Sequence, residues 1–102
     1  MIVRTWTGRV HPGKGREYLA FLGGTVLPQI SALPGSLGAR VLRGVGPRSD
    51  EFMVLTEWTD LESIGAFAGP DPSVAVVEDE ARALLAEYDP TVHHYEVALE
   101  AD

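Results

Sequence analysis

The chain has 102 residues, 45% of them hydrophobic, and 15 acidic against 8 basic residues give it a net charge of −7. That length supports one core burying roughly 60 to 70% of the unfolded surface, so residues 1–102 read as a single domain. The acidic balance, with its basic residues scattered, excludes an electrostatic footprint for nucleic acid or an anionic membrane, and the lack of cysteine excludes disulfides, thiolate metal ligands and a cysteine nucleophile.

MIVRTWTGRV reads as a strand from its second residue, with no apolar leader, and no run of ~18 apolar residues follows it. The sequence thus predicts a soluble, cytoplasmic protein. Ile2 to Val10 is the first strand, with Ile2, Arg4, Trp6 and Val10 on one face and Val3, Thr5, Thr7 and Arg9 on the other. His11-Pro12-Gly13 ends it, and the loop into Lys14-Gly15 lacks phosphate-binding spacing, so it reads as a plain turn. From Lys14 a helix carries Tyr18, Phe21, Leu22 and Val26 on one stripe; Gly23-Gly24 and Pro28 predict that it is kinked or split near Leu27.

Leu33-Pro34-Gly35 is a turn, Leu37 to Val45 a second strand, and Gly46 to Asp50 a polar hairpin loop. The strand that follows, Glu51 to Trp58, has Phe52, Val54, Thr56 and Trp58 on one face and Met53, Leu55 and Glu57 on the other. Apolar groups on both faces call for cover above and below. Thr59 with Glu62 forms a predicted capping box for a helix carrying Leu61, Ile64, Phe67 and Ala68, which Gly69-Pro70 stops. Asp71-Pro72 is read as the opening of another helix with a Val74, Val77, Ala81, Leu84 and Leu85 stripe, closed by Asp89-Pro90, and Val92 to Leu99 as the last strand.

This order predicts an α+β, ferredoxin-like βαββαβ fold, a four-stranded antiparallel sheet with helices on one face. The bare face is then covered most simply by a second copy, in a two-fold homodimer. Chemistry-bearing groups are few. The serines lie in turns or caps without a nucleophile-elbow pattern. His93 and His94, adjacent on a strand, point to opposite faces, and His94 with Glu96 supplies too few ligands for a metal. What remains is Arg4 and Trp6 on the first strand, Thr56 and Trp58 on the third, and His94 and Glu96 on the last. The tryptophans read either as core or interface anchors or as walls of a small-molecule pocket. His94 is the side chain among them suited to proton transfer near neutrality.

Four pieces, RxWxG (Arg4, Trp6, Gly8), PGxLG (Pro34, Gly35, Leu37, Gly38), W-x-x-x-E-x-I-x-A-F-A-G-x-D (Trp58, Glu62, Ile64, Ala66 to Gly69, Asp71) and HYEV (His94 to Val97), span nearly the whole chain. Together they resemble the antibiotic biosynthesis monooxygenase-like family of dimeric α-β barrel proteins. The resemblance implies a homodimer with sheets packed face to face and a ligand cavity in each subunit between sheet and helices. It further implies a monooxygenase oxidising a small phenol or quinol without metal, flavin or haem, or else a non-catalytic ligand-binding or stress-related module of the same fold. On that reading Trp6, Trp58 and Phe67 hold the aromatic ring, Arg4, Thr56 and Tyr95 complete the binding set, and His94 manages the proton. Haem binding or degradation stands third. The haem degraders' strand asparagine is replaced here by Thr5 and Thr7, their helix tryptophan by Phe67, and no histidine falls between Val74 and Glu87. That last segment also lacks the tyrosines of other relatives.

Overall fold

The computed structural model describes residues Met1 to Asp102. Strand β1 (Ile2–Val10) runs through the middle of an antiparallel sheet, with β3 (Glu51–Trp58) on one side and β2 (Ser36–Arg43) beyond it. Two short strands share its other side: β4 (Leu85–Tyr88) pairs Gly8 to Val10, and β5 (His93–Glu96) pairs Ile2 to Thr5. The order β2-β3-β1-β4 is the expected ferredoxin-like one, with the fourth lane split into two strands. Helices α1 (Gly15–Phe21) and α2 (Leu27–Ser31), α3 (Leu61–Ala68) and α4 (Asp79–Leu84) complete the elements.

Side-chain parity decides what is buried. Val10, Phe52, Thr56 and Trp58 point to the helices and are almost fully enclosed, together with Tyr18, Leu22, Val26, Ile30, Ile64, Ala81 and Leu85 from elsewhere in the chain. Val3, Leu55, Met53 and Leu42 fall on the other face, which nothing in the chain covers. No helix is long and apolar enough to cross a membrane.

One local expectation holds and several are corrected. The first helix is split near Leu27, where a π turn at Leu22–Val26 separates α1 from α2, with the Leu27 N–H reaching back to the Leu22 carbonyl. Widening the helix there accommodates the proline ring, which in a regular α-helix would clash one turn back. The cap of α3 is Asp60, whose carboxylate accepts from the Ser63 N–H at 2.9 Å and from its hydroxyl at 2.7 Å. The Thr59–Glu62 box is therefore displaced by one residue. Strand β2 ends at Arg43 and β5 at Glu96, short of Val45 and Leu99.

The largest departure follows Asp71. Its carboxylate takes the Ser73 N–H at 3.0 Å and the Ser73 hydroxyl at 2.7 Å, which makes a turn and opens no helix. Val92 N–H then donates to Ser73 O and Ala75 N–H to Pro90 O, so Pro70 to Glu78 lies as an irregular strap bridged to the strand lane at Val74 and Thr91. Only Asp79–Leu84 is helical, and Leu85–Tyr88, assigned to the helix by its leucine spacing, pairs with β1 instead.

The capping correction has a measurable consequence. Asp60→Ala lowers the urea midpoint of unfolding more than Thr59→Ala does, because only Asp60 satisfies a free N–H of the first turn. Equal losses would restore Thr59 as the cap.

Candidate functional site

Three strands aim side chains at one place beneath the helices. Arg4 pairs directly with Thr56 on β3 and with His94 on β5, while Trp6 pairs with Val54, so these residues share the helix-facing side of the sheet. Arg4 is the least expected occupant of that side: it is 4% exposed. Nη1 donates to the carbonyl of Pro72 and, at 3.1 Å, to Nε2 of His94; Nη2 donates to the Val74 carbonyl at 3.5 Å. The guanidinium also lies 5.7 Å from the centre of the Phe67 ring. Burial pushes it down to about 10, still protonated at neutral pH.

An arginine can only donate, so Nε2 of His94 is the acceptor and its proton resides on Nδ1. Burial first, and then the charges of Arg4 and His93, hold this imidazole below its usual range.

Between sheet and helices lies a narrow cavity of ≈ 50 Å³ with Arg4 and Thr56 on its floor and Trp6 and Phe67 as aromatic walls. Tyr18, Leu22, Val26 and Ile30 close it from the first helical stretch, and Val76, Val77 and Glu78 from the strap and its junction with α4. Trp6 is held rigidly: its Nε1–H donates to Asp89 O at 2.7 Å, and its ring lies so close over Gly8 that a Cβ there would meet it at 2.9 Å. The glycine two residues after the tryptophan is what lets the ring lie down. Leu22 and Val26 bound the π turn, which turns both toward the cavity.

Of the residues proposed from sequence, Arg4, Trp6, Thr56 and Phe67 line this cavity. Trp58 does not; it is 0% exposed, its Nε1–H donating to Thr56 Oγ1 at 2.8 Å, and it serves the core behind the site. His94 lies beside Arg4 but off the cavity wall, so the polar end is the guanidinium and not the imidazole. Tyr95, 58% exposed, pairs with Val3 on the uncovered face, as strand alternation requires once His94 faces inward. Sequence reasoning missed Tyr18 and Glu78. Tyr18 was read as part of an apolar stripe; burial, and secondarily the Glu78 charge, push its phenol well up. An open groove of ≈ 750 Å³ also runs over Thr7, Leu42 and Met53 at one end of the uncovered face. Phe52 and Tyr88 border it, but it holds no buried polar side chain, so the smaller cavity is the candidate site.

No protein-family model matches the chain, and no curated protein sequence matches it. Solved structures do match. The haem degrader MhuD of Mycobacterium tuberculosis, solved with two haems in its active site, superposes with a TM-score of 0.74 at 21% identity over 100% of both chains. SnoaB, a cofactor-independent oxygenase of Streptomyces nogalater, gives 0.72 at 16% identity, over 97% of this chain and 94% of its own. A candidate antibiotic biosynthesis monooxygenase of Bordetella bronchiseptica gives 0.68 at 19% identity, over 96% and 97%. The chain thus has the antibiotic biosynthesis monooxygenase-like fold. At these identities the likeness establishes architecture, and chemistry must be argued from the site.

The Arg4–His94 contact predicts a titration. By NMR, His94 loses its proton at a pH below the ordinary imidazole value of about 6.5, and Arg4→Gln moves the midpoint upward by removing a like charge. Because the folded value is depressed, the neutral ring's contribution to stability is complete above about pH 6.5 and is lost as pH falls through the folded value. An unchanged midpoint in Arg4→Gln would show that the two groups are not coupled.

Proposed function

We propose that the protein is a cofactor-independent monooxygenase acting on a small aromatic phenol or quinol, as a cytoplasmic homodimer. The observation that carries this reading is an aromatic-walled cavity whose polar end is a buried cation. The fold shared with the oxygenase SnoaB supports it. An electron-rich phenol that has given up its proton can itself reduce oxygen. The ring then gains a carbon–oxygen bond from O2, and the second oxygen atom leaves as water, taking one ring C–H hydrogen and the proton that the phenol first gave up, which yields a quinone. For that sequence the protein must hold the ring, exclude water and handle a proton. Trp6 and Phe67 hold the ring, Arg4 stabilises the anion, and His94 takes the proton once its Nε2 is released from Arg4.

A second reading, a non-catalytic module that binds a small apolar ligand, is favoured by one observation: the Nε2 lone pair of His94 is already engaged by Arg4. Haem stays third, supported by fold likeness to MhuD alone. In either of the first two readings a second copy covers the open face, where Val3, Leu42, Met53, Leu55 and Tyr95 lie together.

Two outcomes follow. Oxygen uptake with dihydroxynaphthalenes or other polycyclic phenols falls about 10²- to 10⁴-fold in His94→Ala, as expected for loss of a positioned base. Unchanged turnover in that variant removes His94 from the mechanism, and no uptake by the wild type favours the binding module. In sedimentation at micromolar concentration the folded protein runs as a dimer, and Leu55→Lys shifts it toward monomer; a wild-type monomer would sink the assembly.

A further inference from the structure

Arg4 is a buried cation with no anion. It takes part in none of the ion pairs of the structure, and Glu78, the carboxylate on the cavity wall, is not paired with it. All of its partners are neutral: two carbonyls, an imidazole and an aromatic face. Both Nη1 hydrogens are used, but Nε makes no hydrogen bond, and no fully buried side-chain nitrogen or oxygen lacks a partner. Nε therefore keeps accessible surface, on a residue that lines the cavity. A charged group taken out of water is costly unless another charge or good hydrogen bonds compensate it. Charge-assisted bonds to an anion are shorter and roughly twice as strong as those to a neutral acceptor.

The carbonyls holding Arg4 belong to the strap that closes the cavity. At ≈ 50 Å³ the cavity, open on one side, is well below the size of a typical small-molecule pocket. A larger aromatic ligand needs the strap, which holds Arg4 through the Pro72 and Val74 carbonyls, to give way. The latch and the anion-seeking group are the same residue.

Resting on the reading of this cavity as a phenol site, we propose that Arg4 docks the ligand as a phenolate, its oxygen replacing the Pro72 and Val74 carbonyls on the guanidinium while the phenol's proton passes to solvent by way of His94, whose Nε2 Arg4 releases. Selection for ionisable phenols then comes from the fold itself, and the strap opens when the stronger acceptor arrives.

The probe is 4-nitrophenol, whose ionised form absorbs visible light and whose electron-poor ring resists oxidation, so binding is read without turnover. Titrated with the full-length protein, bound 4-nitrophenol ionises about one to three pH units below the free phenol, the range for a neighbouring opposite charge. Arg4→Lys keeps much of that displacement and Arg4→Gln abolishes it. Should Arg4→Gln fail to fold, 4-nitroanisole decides the matter with wild-type protein, since this methyl ether cannot ionise and binds at least about tenfold more weakly if the anion is what Arg4 holds. Bound 4-nitrophenol with the spectrum of the neutral form, equal affinity for the ether, persistence of the displacement in Arg4→Gln, or no saturable binding at millimolar concentration each overturns the proposal. Ionisation without oxygen uptake on richer phenols would retain the phenolate site and remove the monooxygenase. Uptake with no displaced ionisation would do the reverse.

Discussion

The guanidinium of Arg4 is the one group that touches every part of the structure that matters to the site. It stands on the central strand, reaches two carbonyls of the strap, donates to His94 on the neighbouring strand and faces Phe67 on α3. The Pro72 and Val74 carbonyls are those that a helix starting at Asp71 would give to the Val76 and Glu78 amides. By engaging them, Arg4 helps hold the strap in an irregular path. A cation buried among neutral acceptors is an expensive arrangement, and a hydrophobic residue of similar volume would pack there at least as well. Its presence leaves an apolar cavity with one strongly polar pole.

Rigidity surrounds that pole on the sheet side and is sparse on the strap side. Trp6 is fixed by its bond to Asp89 O and by the bare backbone of Gly8, and Thr56 is oriented by the Trp58 indole. The strap instead depends on the Asp71 turn, a single bridge between Val74 and Thr91 and the latch to Arg4. Segments with few buried contacts and exposed backbone bonds open at low free-energy cost. The site therefore combines a sheet floor fixed by side-chain bonds with a cover held by few contacts.

Strand parity explains why two of the aromatic groups read from sequence have other duties. Trp58 shares a face with Thr56 but lies opposite Ile2 at the end of the strand, away from the cavity, and spends its indole N–H on Thr56. Tyr95 follows His94 and so must face away from it. The pattern that puts Arg4, Trp6 and Val54 inward also puts Val3, Leu55 and Met53 outward, which is how one sheet borders a cavity on one side and leaves an uncovered apolar surface on the other.

The alternation of Ile2 to Val10 and Glu51 to Trp58 was enough to determine the two central strands, their two-faced character and the ferredoxin-like order, since period-two patterning is a local property of the chain. The same alternation fixed that Arg4, Trp6, Thr56 and His94 could share a side. It did not decide which side, because that depends on where the helices dock. Nor did it reveal the fate of Pro70 to Tyr88: Leu84, Leu85 and Ala86 carry helical propensity, but the open edge of β1 offers Leu85 to Tyr88 backbone partners that propensity cannot anticipate. Tertiary structure alone placed His94 behind Arg4 and made the guanidinium the polar end of the cavity, because such contacts join residues far apart in the chain and leave no periodic trace within it.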